Sequence, residues 1–116
     1  MKNGGIFRRA RYSLNGLRIA VQEERSFRAH LAFSMTILIA MIALGPEPFW
    51  WAVLLLAIAT CWGFELVNAA IERLCDHLNP DRHPAIGAVK DLASAAAFTT
   101  NAVTAILAIT AVMQSV

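Results

Sequence analysis

Residues 49–78 read FWWAVLLLAIATCWGFELVNAAIERLCDHL, and their reading decides the fold. The first half is apolar enough to sit in lipid. The second half keeps the helical rhythm but adds Glu65, Asn68, Glu72 and Asp76, spaced by three, four and four. At about 100° per residue, Glu72 lies about 20° to one side of Glu65 and Asp76 about 20° to the other, with Asn68 flanking the stripe. One helix face therefore carries three carboxylates and an amide.

The surroundings of this stretch are those of a membrane protein. Residues 31–44, LAFSMTILIAMIAL, carry no charge. With their flanks they predict a first span over 29–45, slightly short. Gly45-Pro46-Glu47-Pro48 must break it. Trp50 and Trp51 then suit an aromatic belt at the interface. A second span follows over 49–78. Asn79-Pro80-Asp81 ends it as a turn, and Pro84 fits the first turn of a third span over 84–115. Upstream, residues 6–28 interleave Arg and Glu with Ile6, Phe7, Leu14, Leu17, Ile19, Val21 and Phe27, which predicts an amphipathic helix lying on the membrane surface. The charged region is too long for a signal peptide, and no small-residue cleavage site follows an early apolar core.

Composition agrees. The chain has 116 residues, enough for a single membrane domain over 1–116; 58% are apolar and only 16% charged. Cys61 and Cys75 are about 21 Å apart along one helix, too far for a disulfide, so two buried free thiols are expected.

The net charge of +2 says little, but its distribution sets the topology. Lys2, Arg8, Arg9, Arg11, Arg18, Arg25 and Arg28 precede the first span, and Arg73, Arg82 and Lys90 surround the break between the second and third. Three spans put these two regions on one side, which the excess of Lys and Arg marks as cytoplasmic, with the C-terminus outside.

Ionised carboxylates at membrane depth are costly and need partners. Three on one face repel one another unless cations intervene. Mg²⁺ fits, since it takes one or two carboxylates and completes its shell with phosphates and water. The plainer reading pairs Asp76 and Glu72 with Arg73 or Lys90 at the headgroups and spends Asn68 on a bond between helices. Lys90 and Asp91 point to different faces of the third span. Lys90 there suits a phosphate and Asp91 a ribose, or the pair merely anchors the helix. Ser94 and Asn101 lie on the same span; an interhelical hydrogen bond suits Asn101. Glu23 and Glu24 end the surface helix, either as a solvated face or with one of them completing a metal site opposite Glu72. There is no Gly-rich phosphate loop.

The stretch Glu65-Leu66-Val67-Asn68-Ala69-Ala70-Ile71-Glu72-Arg73-Leu74-Cys75-Asp76 resembles the signature E-x-x-N-x-A-I-E-x-x-x-D of the small bacterial integral-membrane lipid kinases, the diacylglycerol and undecaprenol kinases. His83-Pro84 and Lys90-Asp91-Leu92-Ala93-Ser94-Ala95-Ala96 follow in the family's order. The resemblance implies a homotrimer of three-span subunits in the bacterial inner membrane, with active sites shared between neighbours. It implies transfer of the γ-phosphoryl group of ATP, with Mg²⁺, to a lipid hydroxyl. Partners would be ATP, the lipid acceptor and the membrane, with no nucleic acid. By position, Glu65 resembles the base acting on the lipid hydroxyl, Asn68 its polar support, and Glu72 and Glu24 the metal ligands beside the nucleotide. Lys90 and Asp91 resemble the nucleotide-contacting pair, Tyr12 an adenine-side contact, Asp81, Arg82 and His83 the loop over the nucleotide, and Ser94 a lipid-side contact.

Two features bear on the acceptor. The diacylglycerol kinases carry an Arg near the position of Gly5 and a Trp near that of Ala108; this chain has neither, with Arg8 or Arg9 as the alternative to the first. Residues 24–30, ERSFRAH, resemble the undecaprenol kinase version, whereas 90–96 resemble the diacylglycerol branch, and the expectation leans to diacylglycerol. The rival of another class is a small proton-coupled transporter or channel with Glu65 as its proton carrier. That rival does not predict an acidic cluster confined to one end, nor the Lys90-Asp91 pair.

Overall fold

The computed structural model describes residues 5–78 and 83–116, and all of its regular structure is helical. The order is α1 (Gly5–Glu23), α2 (Arg25–Leu44), α3 (Pro48–Leu78) and α4 (Pro84–Ser115). The last three are long and apolar enough to cross a membrane, at 20, 31 and 32 residues. At about 1.5 Å per residue α3 is about 46 Å long against a hydrocarbon core of about 30 Å, so one end of α3 overhangs the apolar layer. The described basic residues gather at that end, where α2 and α4 start and α3 finishes.

The break between the first two helices differs from the expected one. The surface helix was expected to run through residue 28 and the first span to begin at 29. Instead α1 stops at Glu23, Glu24 is extended (φ −109°, ψ 104°), and α2 begins at Arg25. Neither Gly nor Pro marks this position; side chains from elsewhere hold it. The Arg28 guanidinium donates to the Val21 and Gln22 carbonyls (3.0 and 3.1 Å), which the end of α1 leaves without helical partners. Arg73 of α3 grips Glu23 and Glu24 from the other side.

The other breaks follow local chemistry. Gly45 ends α2 in the left-handed conformation (φ +59°) and its N–H reaches the Met41 carbonyl at 2.8 Å, a cap that glycine adopts at little cost. Pro84 opens α4, with His83 Nδ1 accepting from the Ala85 N–H at 3.1 Å.

The main packing is α3 on α4, with α2 lying more lightly against both. Away from the basic end Ile37, Met41, Leu54, Ile58 and Ala111 form a buried cluster. Trp50 and Trp51 are half-buried against this cluster. Midway, Cys61 and Thr104 join α3 to α4: Cys61 Sγ and Thr104 Oγ1 lie 2.9 Å apart, and both reach the Thr100 carbonyl, at 3.3 and 2.8 Å. Cys61 and Cys75 are both buried and free, as expected. Large apolar side chains, among them Phe33, Ile39, Leu56, Phe98 and Ile106, remain outward-facing on all three spans.

Candidate active site at the basic end of the spans

The acidic stripe of α3 opens into a cavity of about 360 Å³ between α2, α3 and α4. Glu65, Asn68 and Glu72 enter from α3, Glu24 and His30 from the start of α2, and Ser94 and Asn101 from α4. Spacing by three and four turns the α3 residues to one side, and α4 meets that side because it packs along α3.

Glu65 is the deepest of the carboxylates, only 7% exposed. Three donors from two neighbouring helices hold it. His30 Nε2 lies 2.9 Å and Asn101 Nδ2 3.3 Å from Oε1, and the Ser26 hydroxyl donates to Oε2 at 3.1 Å. A carboxyl group this buried needs such partners. The interhelical bond expected of Asn101 is therefore present, and its target is Glu65. Asn68 Oδ1 is buried in the same cavity without a partner, an acceptor that waits for a donor or a cation.

The remaining carboxylates divide. Asp76 is exposed and accepts from Lys90 Nζ at 2.8 Å, which matches the plainer of the two readings of its position. Glu24 lines the cavity while accepting from Arg73 Nη2 at 2.7 Å. Glu72 lines it with no ion pair among the described residues. Two carboxylates on one cavity suit Mg²⁺, whose remaining sites go to phosphate and water. Among the described residues no group of three His, Cys, Asp or Glu side chains stands ready to hold a metal without such help.

Several expected site residues stand apart from the cavity within one chain. Tyr12 is exposed on α1, Asp91 is exposed on α4, and Lys90 is engaged with Asp76. His83 caps α4. Asp81 and Arg82 lie outside the described residues. Ser26, His30, Phe27 and Phe98 add to the cavity wall. Residue type alone does not single them out, but the four-residue spacing of Ser26, His30 and Ser34 is a polar stripe along α2 whose first two members bond Glu65. Ser34 is itself buried, accepting from Trp62 Nε1 at 3.0 Å.

Beyond Glu65 the polarity falls away. His30 and Asn101 also wall a second cavity of about 290 Å³ with Ile37, Ile58 and Ala105. Phe33 and Ile37 in turn wall a third, of about 300 Å³, lined almost wholly by apolar side chains of α2 and α4. The seam between α2 and α4 thus runs from carboxylates at the basic end to bare hydrocarbon at the other.

A buried carboxylate, an acid-walled cavity at the end of three apolar spans, and an apolar seam leading from it define a class: a helical membrane protein with its polar site near one surface. Residues 11–113 match the family described as prokaryotic diacylglycerol kinase, and the chain belongs to that family. It is therefore a lipid kinase, a transferase of the membrane. It is 34% identical over 89 residues to the diacylglycerol kinase of Haemophilus influenzae, an alignment covering 76% of this chain and 75% of that one. It is 31% identical over 91 residues to the diacylglycerol kinase of Helicobacter pylori, covering 78% and 71%. Against the undecaprenol kinase of Bacillus subtilis the identity is 31% over 81 residues, covering 70% and 66%. No solved structure matches the chain.

Proposed function

We propose that this protein transfers the γ-phosphoryl group of ATP to the hydroxyl of diacylglycerol, making phosphatidic acid at the cytoplasmic face of the inner membrane. The observation that carries the reading is the position of Glu65, a buried carboxylate between an acid-walled cavity and an apolar seam. A lipid alcohol needs that arrangement: its hydroxyl at the carboxylate, its chains in the seam, and its phosphoryl donor on the polar side. Phosphoryl transfer asks mainly for positioning and charge neutralisation. Glu65 takes the hydroxyl proton, and Asn68 supports the reacting centre. Ser94, on the cavity wall, contacts the lipid.

Glu24 and Glu72 are the residues that would hold Mg²⁺, and the bound ion would offset the charge of the phosphates. Tyr12, Asp81, Arg82, His83, Lys90 and Asp91 serve the nucleotide. That Tyr12 and Asp91 are exposed and do not line the cavity of their own chain, with the many outward apolar side chains, supports a homotrimer whose sites are shared between subunits. α1 exposes Ile6, Phe7, Leu14 and Val21 among arginines, which supports its lying on the membrane surface. The gathering of basic residues at the cavity end supports its facing the cytoplasm.

Undecaprenol is the second reading of the acceptor, favoured by His30 in the site and by the Bacillus relative. Purified protein supplied with labelled ATP, Mg²⁺ and one lipid at a time separates the two. Label in diacylglycerol alone supports the first reading and label in undecaprenol alone the second. Label in neither, with Glu72→Gln indistinguishable from wild type, sinks the kinase reading and revives a proton-coupled transporter.

A further inference from the structure

The two oxygens of Glu65 have unlike surroundings. Oε1 has two nitrogen neighbours, His30 Nε2 at 2.9 Å and Asn101 Nδ2 at 3.3 Å. Oε2 has only the Ser26 hydroxyl at 3.1 Å, on the cavity side. An imidazole nitrogen and a carboxylate oxygen at 2.9 Å must have one proton between them, since two facing lone pairs repel. Asn101 Nδ2 lies 3.3 Å from both that oxygen and His30 Nε2; a carboxylate that is to take the acceptor's proton must itself be ionised, and in that state the shared proton sits on Nε2. His30 comes from α2, Glu65 from α3 and Asn101 from α4, so this contact ties all three spans at one point. His30 and Asn101 also form the wall common to the polar cavity and its apolar neighbour.

We propose that His30 is a positioning residue for the transfer: its Nε2–H, with Asn101 beside it, claims Glu65 Oε1 and leaves Oε2 as the atom that takes the acceptor's proton. The Ser26 hydroxyl, an alcohol already bonded to Oε2, marks where the lipid hydroxyl sits. This deepens the kinase reading and rests on it. As the acceptor oxygen bonds to the γ-phosphorus, its O–H bond breaks and the proton goes to Oε2. The P–O bond to the leaving group breaks, and ADP departs with that electron pair. A carboxylate with both oxygens unclaimed turns about its last torsion and offers either one; claiming Oε1 removes that freedom before the lipid arrives.

The test uses the full chain with Mg-ATP and whichever lipid the wild type phosphorylates. His30→Leu fills the space without a donor. A lost hydrogen bond to a charged group should lower kcat about 10- to 100-fold, while KM for lipid and ATP stays within about threefold. His30→Gln sets an amide N–H near the place of Nε2 and should return kcat to within about fivefold of wild type. His30→Asn, one methylene shorter, should stay about tenfold below Gln; this pair decides the matter should the Leu variant fold poorly, as judged by its elution and melting temperature. In a Glu65→Gln background the His30 substitutions should add almost nothing. A folded His30→Leu with wild-type kcat overturns the inference, as does a folded His30→Gln no faster than His30→Asn. A wild type that labels neither lipid overturns the kinase reading and this inference with it, a result the other two cannot be confused with.

Discussion

The two ends of the helical bundle are held by different physics. At the far end Ile37, Met41, Leu54, Ile58 and Ala111 interlock, and Leu54 is only 1% exposed. In lipid such a cluster gains little from leaving water and holds chiefly by close packing. At the basic end the same helices surround a cavity, and polar contacts join them: His30 and Asn101 on Glu65, Lys90 on Asp76, Arg73 on Glu23 and Glu24. Packing at one end fixes the geometry that lets the other end stay open. The price of that openness is a buried carboxylate and two amide oxygens, Asn68 Oδ1 and Asn101 Oδ1, with nothing to accept from among the described residues.

This division is open to attack from both sides. Glu65→Gln should give the largest effect, a kcat about 1,000-fold lower with the melting temperature within a few degrees of wild type. A large loss of stability with activity preserved would place Glu65 among the structural groups. Glu72→Gln should lower activity about 100-fold at low Mg²⁺, as expected for one lost charge-neutralising ligand, and a Mg²⁺ titration should recover part of it. A Mg²⁺ dependence unchanged from wild type removes Glu72 from that role. Leu54→Ala should do the reverse, costing about 2 kcal/mol of stability while the folded fraction keeps near-normal kcat. Smallest is Arg73→Met, which frees Glu23 and Glu24 at an exposed position. Surface pairs of this kind contribute little, so a change of about threefold in activity, greatest at low salt, is the expected result.

The sequence states the spans plainly because lipid demands uninterrupted apolar runs and Gly45-Pro46-Glu47-Pro48 cannot continue a helix. It states the acidic face plainly because a carboxylate at Glu65 has no inexpensive explanation in a membrane. The break at Glu24 is another matter. It rests on Arg28 reaching back to carbonyls of α1 and Arg73 reaching across from α3, contacts of tertiary origin with no local signal. Ser26 and His30 were hidden for a similar reason, since small polar residues near a helix start are common and only the packed partner shows which way they face. The pairing of Lys90 with Asp76 likewise depends on how far α4 slides along α3, which periodicity does not encode.

Glu24 combines two positions that proteins usually keep apart. It is the single extended residue joining α1 to α2, and it is a wall of the acid-lined cavity. Two rods meet there, and the elbow itself carries a carboxylate. Any change in the angle between the rods therefore moves that carboxylate, so the posture of α1 against α2 and the fit of the site to its charge are one mechanical variable.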